Sequence, residues 1–344
     1  MDVSDASDSR LAQLTEWVVN DLGFAGSSIV PASVDASFRR YFRVKSGSDS
    51  YIVMDAPPEK EDSAPFLKVA RLLAGMNLNV PIVLARDIDR GFLLMSDLGF
   101  RQYLEELPKD GAADRLYADA LKSLKTMQSA DPQVSRELPR YDDGMLMREM
   151  QLMPEWFLRH HLKIEADDEE RSVLNEMFLN LARAAAAQPA AFVHRDYHSR
   201  NLLVTIEDNP GILDFQDAVW GPITYDLASL LKDCYISWPR SRVRAWVLEY
   251  REQLLESGMS VGRDAAEFLR WFDLMGLQRH IKVLGIFARL YYRDGKSQYL
   301  HDLPRVLDYA RETASAYAEA APLARFIAKR IDVQFPDAQQ RELE

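Results

Sequence analysis

Asp196, Asn201 and Asp214 have the side-chain types and the order needed to move a phosphoryl group. Asp196 follows His194-Arg195, Asn201 stands five residues further on, and Asp214 opens an Asp-Phe-Gln-Asp run after Gly211-Ile212-Leu213. Transfer to a hydroxyl needs a carboxylate to take the hydroxyl proton and hard oxygen ligands to hold Mg²⁺ against the phosphates. Asp196 is the candidate base, Asn201 and Asp214 are the candidate metal ligands, and ATP with Mg²⁺ is the co-substrate this set implies. A His-Arg-Asp triplet alone, or an Asp after an apolar run alone, is an ordinary turn sequence. The ordered set carries the signal, together with Leu202-Leu203-Val204 and Gly211-Ile212-Leu213, two apolar runs suited to a small hairpin.

The elements that must position these groups follow from patterning. Asp8 or Ser9 can cap a first helix that carries Leu11, Leu14, Trp17 and Val18 on one face and ends at Gly23. Strand-like runs cover Phe38 to Val44, Tyr51 to Met54, Pro81 to Ala85 and Gly91 to Met95, with a helix from Ser63 to Leu78 between the second and third. Residues 1–96 therefore read as a small lobe, a mostly antiparallel sheet with a helix laid across it. Ser96-Asp97-Leu98-Gly99 reads as a hinge. Residues 97–344 read as a larger, mainly helical lobe that carries the catalytic loop, the metal site and the acceptor-binding helices. The expected class is α+β, with the two-lobed layout of a protein kinase.

At 344 residues the chain can bury a large core, and 47% apolar with 28% charged residues is ordinary globular composition. A net charge of −11 argues against nucleic acid as a partner, and anionic ligands would need local cations or Mg²⁺. The acidic start does not read as a secretory leader, the apolar run Val283 to Tyr292 is interrupted by Arg289, and Cys234 is the sole cysteine. A cytoplasmic, membrane-free monomer is the expectation.

With these residues in hand, the chain resembles the aminoglycoside-phosphotransferase-like branch of the kinase superfamily. Asp214-Phe215-Gln216-Asp217-Ala218 followed by Gly221-Pro222-Ile223-Thr224-Tyr225-Asp226-Leu227-Ala228 is the mark of that branch. Further segments, Val34 to Arg43, Val53 to Pro58 and Asp273 to His280, are similar to a bacterial family of anomeric N-acetylmuramate and N-acetylglucosamine kinases of peptidoglycan recycling. The resemblance runs from about residue 11 to about residue 310, and the tail beyond it is uninformative. It implies a protein-kinase-like fold, an amino sugar as acceptor and a sugar 1-phosphate as product. It also implies that Asp226 accepts hydrogen bonds from the catalytic-loop backbone, which His194 helps to support.

The resemblance makes Ser33 to Tyr41 the phosphate-covering loop, although it holds no glycine; Ser37 would present its backbone N–H. The lysine that kinases place on the next strand is missing, since Tyr51-Ile52-Val53-Met54-Asp55-Ala56 offers Met54 or Asp55. Arg39 is the expected substitute, with Arg40 as fallback and Lys68 third. The Ser96 and Leu98 backbone would serve the adenine. For the acceptor, Glu149 on a helix over about 144–162 and Arg279, His280 and Lys282 on another are candidates, with Asp217. A cation there would suit a carboxylate. A kinase of another small alcohol, such as an aminoglycoside, choline or homoserine, is the second reading, and a non-catalytic nucleotide-binding regulator the third.

Overall fold

The computed structural model describes residues 3–34 and 38–343, so Ser37 lies outside the described residues. In chain order, helix α1 (Val3–Glu16) runs on into π-helical turns at Trp17–Asp21, then come β1 (Ser28–Val34), β2 (Arg40–Ser46), β3 (Asp49–Asp55), α2 (Ala64–Gly75), β4 (Val83–Asp87) and β5 (Phe92–Ser96). Next are α3 (Tyr103–Glu106), α4 (Ala112–Gln128), α5 (Asp143–Met150), a π-helical stretch Met153–His161, α6 (Asp168–Ala186) and β6 (Ala190–Val193). The short β7 (Leu202–Leu203) and β8 (Gly211–Ile212) form a hairpin, and β9 (Val219–Pro222) pairs antiparallel with β6. The rest is helical: α7 (Tyr225–Leu231), α8 (Arg240–Glu256), α9 (Ala265–Tyr292), α10 (Leu303–Ala316), α11 (Ala321–Phe326), π-helical turns at Ile327–Ile331, and α12 (Asp332–Leu343). The first helix thus begins before the expected caps at Asp8 or Ser9.

The chain divides into two compact units, Met1–Arg101 with Leu203–Asp217, and Gln102–Leu202 with Ala218–Glu344. The sequence reading assigns the Asp214 segment to the larger lobe, whereas here it packs with the sheet. Ile212 N–H donates to the Asn79 carbonyl at 2.8 Å, Asn79 Nδ2 donates to Thr205 Oγ1 at 3.3 Å, and the Phe215 ring lies 4.9 Å from that of Phe66.

The first unit is built on a five-stranded antiparallel sheet in the order β1-β2-β3-β5-β4. Pro31 interrupts β1 where the register shifts, which an edge strand tolerates because it has no second neighbour to serve. Leu14, Trp17 and Val18 of the first helix bury one face against Phe42, Val44, Val53, Phe92 and Leu94. Strand alternation then puts Tyr41, Ile52, Met54, Leu93 and Met95 on the other face.

The second unit is organised around α9, which packs on α5, α6, α7, α8, α10 and the π-helical Met153–His161. Asp264 caps its start by accepting Glu267 N–H at 2.9 Å, and Asp167 with Glu170 form a reciprocal capping box at the start of α6. Gly285 of α9 is a close contact point, where an added Cβ would stand 2.3 Å from the Leu152 carbonyl carbon. The C-terminal helices join this core through Leu323, Ile327, Ile331 and Ala338. No helix among the described residues is long and apolar enough to cross a membrane.

Gly285→Ala should therefore destabilise the protein by about 1–3 kcal/mol or more, because backbone at Leu152 cannot yield as a side-chain tip would. Gly75→Ala, where nothing lies within 4 Å of the new Cβ, should be neutral or stabilise by up to about 1 kcal/mol. Chemical denaturation of the two variants checks the pair; equal midpoints would show that Gly285 is not a contact point.

Candidate active site

The catalytic loop follows β6 and is held from below. Asp226, in the first turn of α7 and fully buried, accepts the His194 N–H at 2.6 Å and the Arg195 N–H at 3.0 Å. Arg195 has φ +78°, a left-handed conformation that costs a non-glycine residue about 1–3 kcal/mol unless its surroundings enforce it. The two hydrogen bonds to one carboxylate supply that enforcement. Burial pushes the Asp226 carboxyl up to about 7, against those same two bonds. Asp196 N–H donates to His194 Nδ1 at 3.3 Å, and Asn201 Nδ2 donates to the Asp196 carbonyl at 3.0 Å. With its amide nitrogen so engaged, the Asn201 side chain is fixed against the loop backbone. Downstream, Asp233 accepts both the Ser199 N–H at 2.9 Å and the Ser199 hydroxyl.

Asp196 is half-buried, with the Lys282, Arg279 and Arg195 cations and the His198 ring around it. Burial works to raise its carboxyl, but Lys282, His198, Arg279 and Arg195 together outweigh it and hold the group below the usual carboxylate range. Three of the four are arranged by other partners. Glu149, 8% exposed, accepts from Arg195, from Lys282 at 3.1 Å and from the Tyr141 hydroxyl. Lys282 also donates to the Tyr225 hydroxyl at 3.1 Å. Burial opposes the charge on Glu149, yet the Lys282 and Arg195 charges keep its carboxyl low. Arg279, 3% exposed, donates from Nη1 to Cys234 Sγ at 3.1 Å. His198 is buried edge-on to Tyr235 at 5.3 Å, and burial holds its imidazole below its ordinary value.

Two of the expected acceptor contacts change role on this geometry. Glu149 has its oxygens occupied by three protein donors, so it organises cations rather than meeting an acceptor. His280 is fully buried and turned the other way round α9; its Nε2 is 3.0 Å from the Lys232 carbonyl, which can only accept, and its ring stacks on Tyr309 at 4.8 Å. Burial lowers that imidazole to about 3, so it is neutral core. Arg279 and Lys282, three residues apart on α9, share the face toward Asp196.

In the first unit, Asp214 has φ +61° and accepts from Gln216 Nε2 at 2.6 Å. Asp217 is exposed. Arg39, 9% exposed, pairs with Glu61 at 3.1 Å, while Glu61 also accepts the Phe38 N–H at 3.0 Å. Arg40 is paired in register with Asp55 and shares its face, the one covered by α1. There Asp55, fully buried, holds Arg40 Nε at 2.9 Å and Arg10 Nε at 3.0 Å. Arg40 is thus committed to a structural ion cluster on the side away from Tyr41 and Met54, and the fallback role expected of it is corrected. Lys68 is exposed on α2. Ser96 N–H is bound by the Ile82 carbonyl at 2.9 Å, so only its carbonyl suits the acceptor role; Leu98 packs beside Gly211, 3.1 Å from the position of an added Cβ.

Sequence reasoning did not foresee Tyr141, Tyr225 or Cys234 in this region, nor Glu61 as the partner of Arg39. Arg195 was visible in the motif but without a role, because its partner Glu149 is 46 residues away.

The phosphotransferase enzyme family matches over residues 28–269. An N-acetylmuramate/N-acetylglucosamine kinase of Pseudomonas aeruginosa is 45% identical over 333 residues, covering 94% of this chain and 97% of that one. One of the same description from Pseudomonas putida is 43% identical over 332 residues, with 94% and 97% covered. Among solved structures, an ethanolamine kinase of Plasmodium vivax superposes with a TM-score of 0.63 at 13% identity, covering 86% of this chain and 85% of that one, a likeness of fold. With a protein-kinase-like fold, this catalytic loop and relatives matched almost end to end, the chain belongs to the phosphotransferase enzyme family of small-molecule kinases.

Proposed function

We propose that this chain transfers the γ-phosphoryl group of ATP to the anomeric hydroxyl of N-acetylmuramate and N-acetylglucosamine, giving the sugar 1-phosphates for cell-wall recycling. The observation that carries the reading is the carboxylate of the half-buried Asp196, on a loop fixed by Asp226 and Asn201 and ringed by Arg195, Arg279 and Lys282. The names of the relatives at 45% and 43% identity support the acceptor class. A cationic surround also disfavours a cationic acceptor such as choline or an aminoglycoside. The chain is taken to act as a monomer in the cytoplasm, where ATP and Mg²⁺ are at hand and its one cysteine stays reduced.

Asp196 accepts the proton of the acceptor hydroxyl as its oxygen bonds to the γ-phosphorus and the bond to the leaving ADP oxygen breaks. A carboxylate kept ionised by neighbouring cations is ready to accept that hydrogen bond; much of the rate then comes from alignment. Asn201 and Asp214 offer the hard oxygens that Mg²⁺ prefers, and the ion would supply charge stabilisation at the phosphates. Arg39 is the proposed substitute for the missing strand lysine, with Glu61 orienting it as a carboxylate partner. The Ser96 carbonyl and the Leu98 backbone would meet the adenine. Arg279 would take the lactyl carboxylate of N-acetylmuramate, with Lys282 setting the local field. Asp217 remains a candidate for sugar hydroxyls.

Asp196→Asn should abolish turnover while nucleotide affinity stays near wild type, measured by product formation and by calorimetric titration with Mg-ATP. Residual turnover above a few per cent would remove Asp196 as the base. The two arginines should part company. Arg39→Ala should raise KM for ATP and lower kcat by on the order of 10²-fold, as for a lost donor at developing charge. Arg40→Ala should instead lower stability by about 3 kcal/mol, since Asp55 keeps only one of its two cations, and leave KM for ATP nearly unchanged.

The function itself is tested with a sugar methylated at the anomeric oxygen. It should be no substrate, whereas the free sugar should give an acid-labile phosphate. Arg279→Ala should cut kcat/KM for N-acetylmuramate about tenfold more than for N-acetylglucosamine. Phosphorylation of the methylated sugar would leave only the broader small-molecule kinase assignment.

A further inference from the structure

Arg279 differs from the other arginine and the lysine beside Asp196 in what holds it. Arg195 and Lys282 both bond the Glu149 carboxylate, so their charges are answered within the protein. Arg279 makes its hydrogen bond to a sulfur atom, Cys234 Sγ at 3.1 Å, and among the described residues no carboxylate pairs with it. The nearest carboxylate along the chain from that sulfur, Asp233, is occupied by neutral donors: the Ser199 N–H and hydroxyl on one oxygen and the Tyr235 N–H at 3.0 Å on the other. A thiol is a weak acceptor. Burial pushes the Cys234 thiol up to about 11, so it carries no charge at neutral pH. The sulfur is also held in place, because Arg305 Nη1 donates to the Cys234 carbonyl at 2.8 Å.

A guanidinium that is only 3% exposed is costly unless a counter-charge meets it. A carboxylate at the position of the sulfur would meet it permanently. The chain puts an uncharged atom there, so the arginine is oriented without an ion-pair partner, and Asp196 and Asp233 act on its charge only through space. We propose that Cys234 is a specificity-determining positioning residue, whose uncharged sulfur aims Arg279 without neutralising it and so leaves the guanidinium for the carboxylate of an acidic amino-sugar acceptor. This rests on the function proposed above, and it adds the residue that sets the preference between acidic and neutral acceptors.

The test is the ratio of kcat/KM for N-acetylmuramate to that for N-acetylglucosamine. Cys234→Asp places a carboxylate on Arg279 and should lower the ratio by on the order of tenfold or more, with the neutral sugar still turned over. Cys234→Asn, similar in size, uncharged and still able to accept from the guanidinium, should keep the ratio within about threefold of wild type, whereas Cys234→Ala, which removes the acceptor, should lower it by roughly threefold to tenfold. The same loss in Cys234→Asn as in Cys234→Asp, or an unchanged ratio in Cys234→Asp, overturns the proposal. If Cys234→Asp does not fold, the other two variants decide: a ratio kept in Cys234→Asn and lowered in Cys234→Ala supports the proposal, and a ratio lowered in Cys234→Asn or unchanged in Cys234→Ala overturns it. A wild-type protein that phosphorylates neither sugar overturns the functional reading, and this proposal with it.

Discussion

The Asp226 carboxylate holds the His194-Arg195 backbone in a conformation the chain would not choose alone. Two N–H groups converge on it, one from a residue with φ +78°, and the turn they create delivers Asp196 to the end of the loop. The same carboxylate is the first acidic group of α7, where the helix N-terminus favours it. Because the loop, α7 and the pairing of β6 with β9 share this anchor, an error there would be felt at Asp196, at Asn201 and at the Tyr225 hydroxyl together.

Above that anchor the site is a problem in charge. Three long cations crowd the Asp196 carboxylate, and an unbalanced positive field would be costly to bury. Glu149 tempers the field by engaging Arg195 and Lys282, and the Tyr141 and Tyr225 hydroxyls complete the hydrogen bonds that buried charges require. The arrangement leaves a graded surface around Asp196: two cations already answered and one oriented by a sulfur.

How far this could be read from the sequence depended on distance along the chain. Asp196, Asn201 and Asp214 stand within 19 residues, so their order and spacing alone suggested phosphoryl transfer. The fold class and most strands followed from local alternation. What escaped were facts set by remote partners. Strand parity puts Arg39 on the side of Tyr41, but that Arg40, on the other side, is taken up by Asp55 together with Arg10 depends on partners in other elements. Glu149 and His280 look like free polar groups on helices until Arg195, Lys282, Tyr141 and the Lys232 carbonyl are placed around them. The C-terminal tail has little helical pattern because π-helical turns and Pro336 interrupt its periodicity, yet Ile327, Ile331 and Ala338 sit in the main core. The placement of 203–217 with the sheet came from backbone contacts to Asn79 that no pattern announces.

The buried thiol also has a practical consequence for spectroscopy. With one cysteine in the chain, 1% exposed and with its ionisation pushed up to about 11, alkylating reagents at neutral pH should find almost no native thiolate. New cysteines introduced on the exposed faces of α2 and α8 could then be labelled selectively in the otherwise native chain. A fluorophore or spin label placed this way would report on either unit without first replacing the buried Cys234.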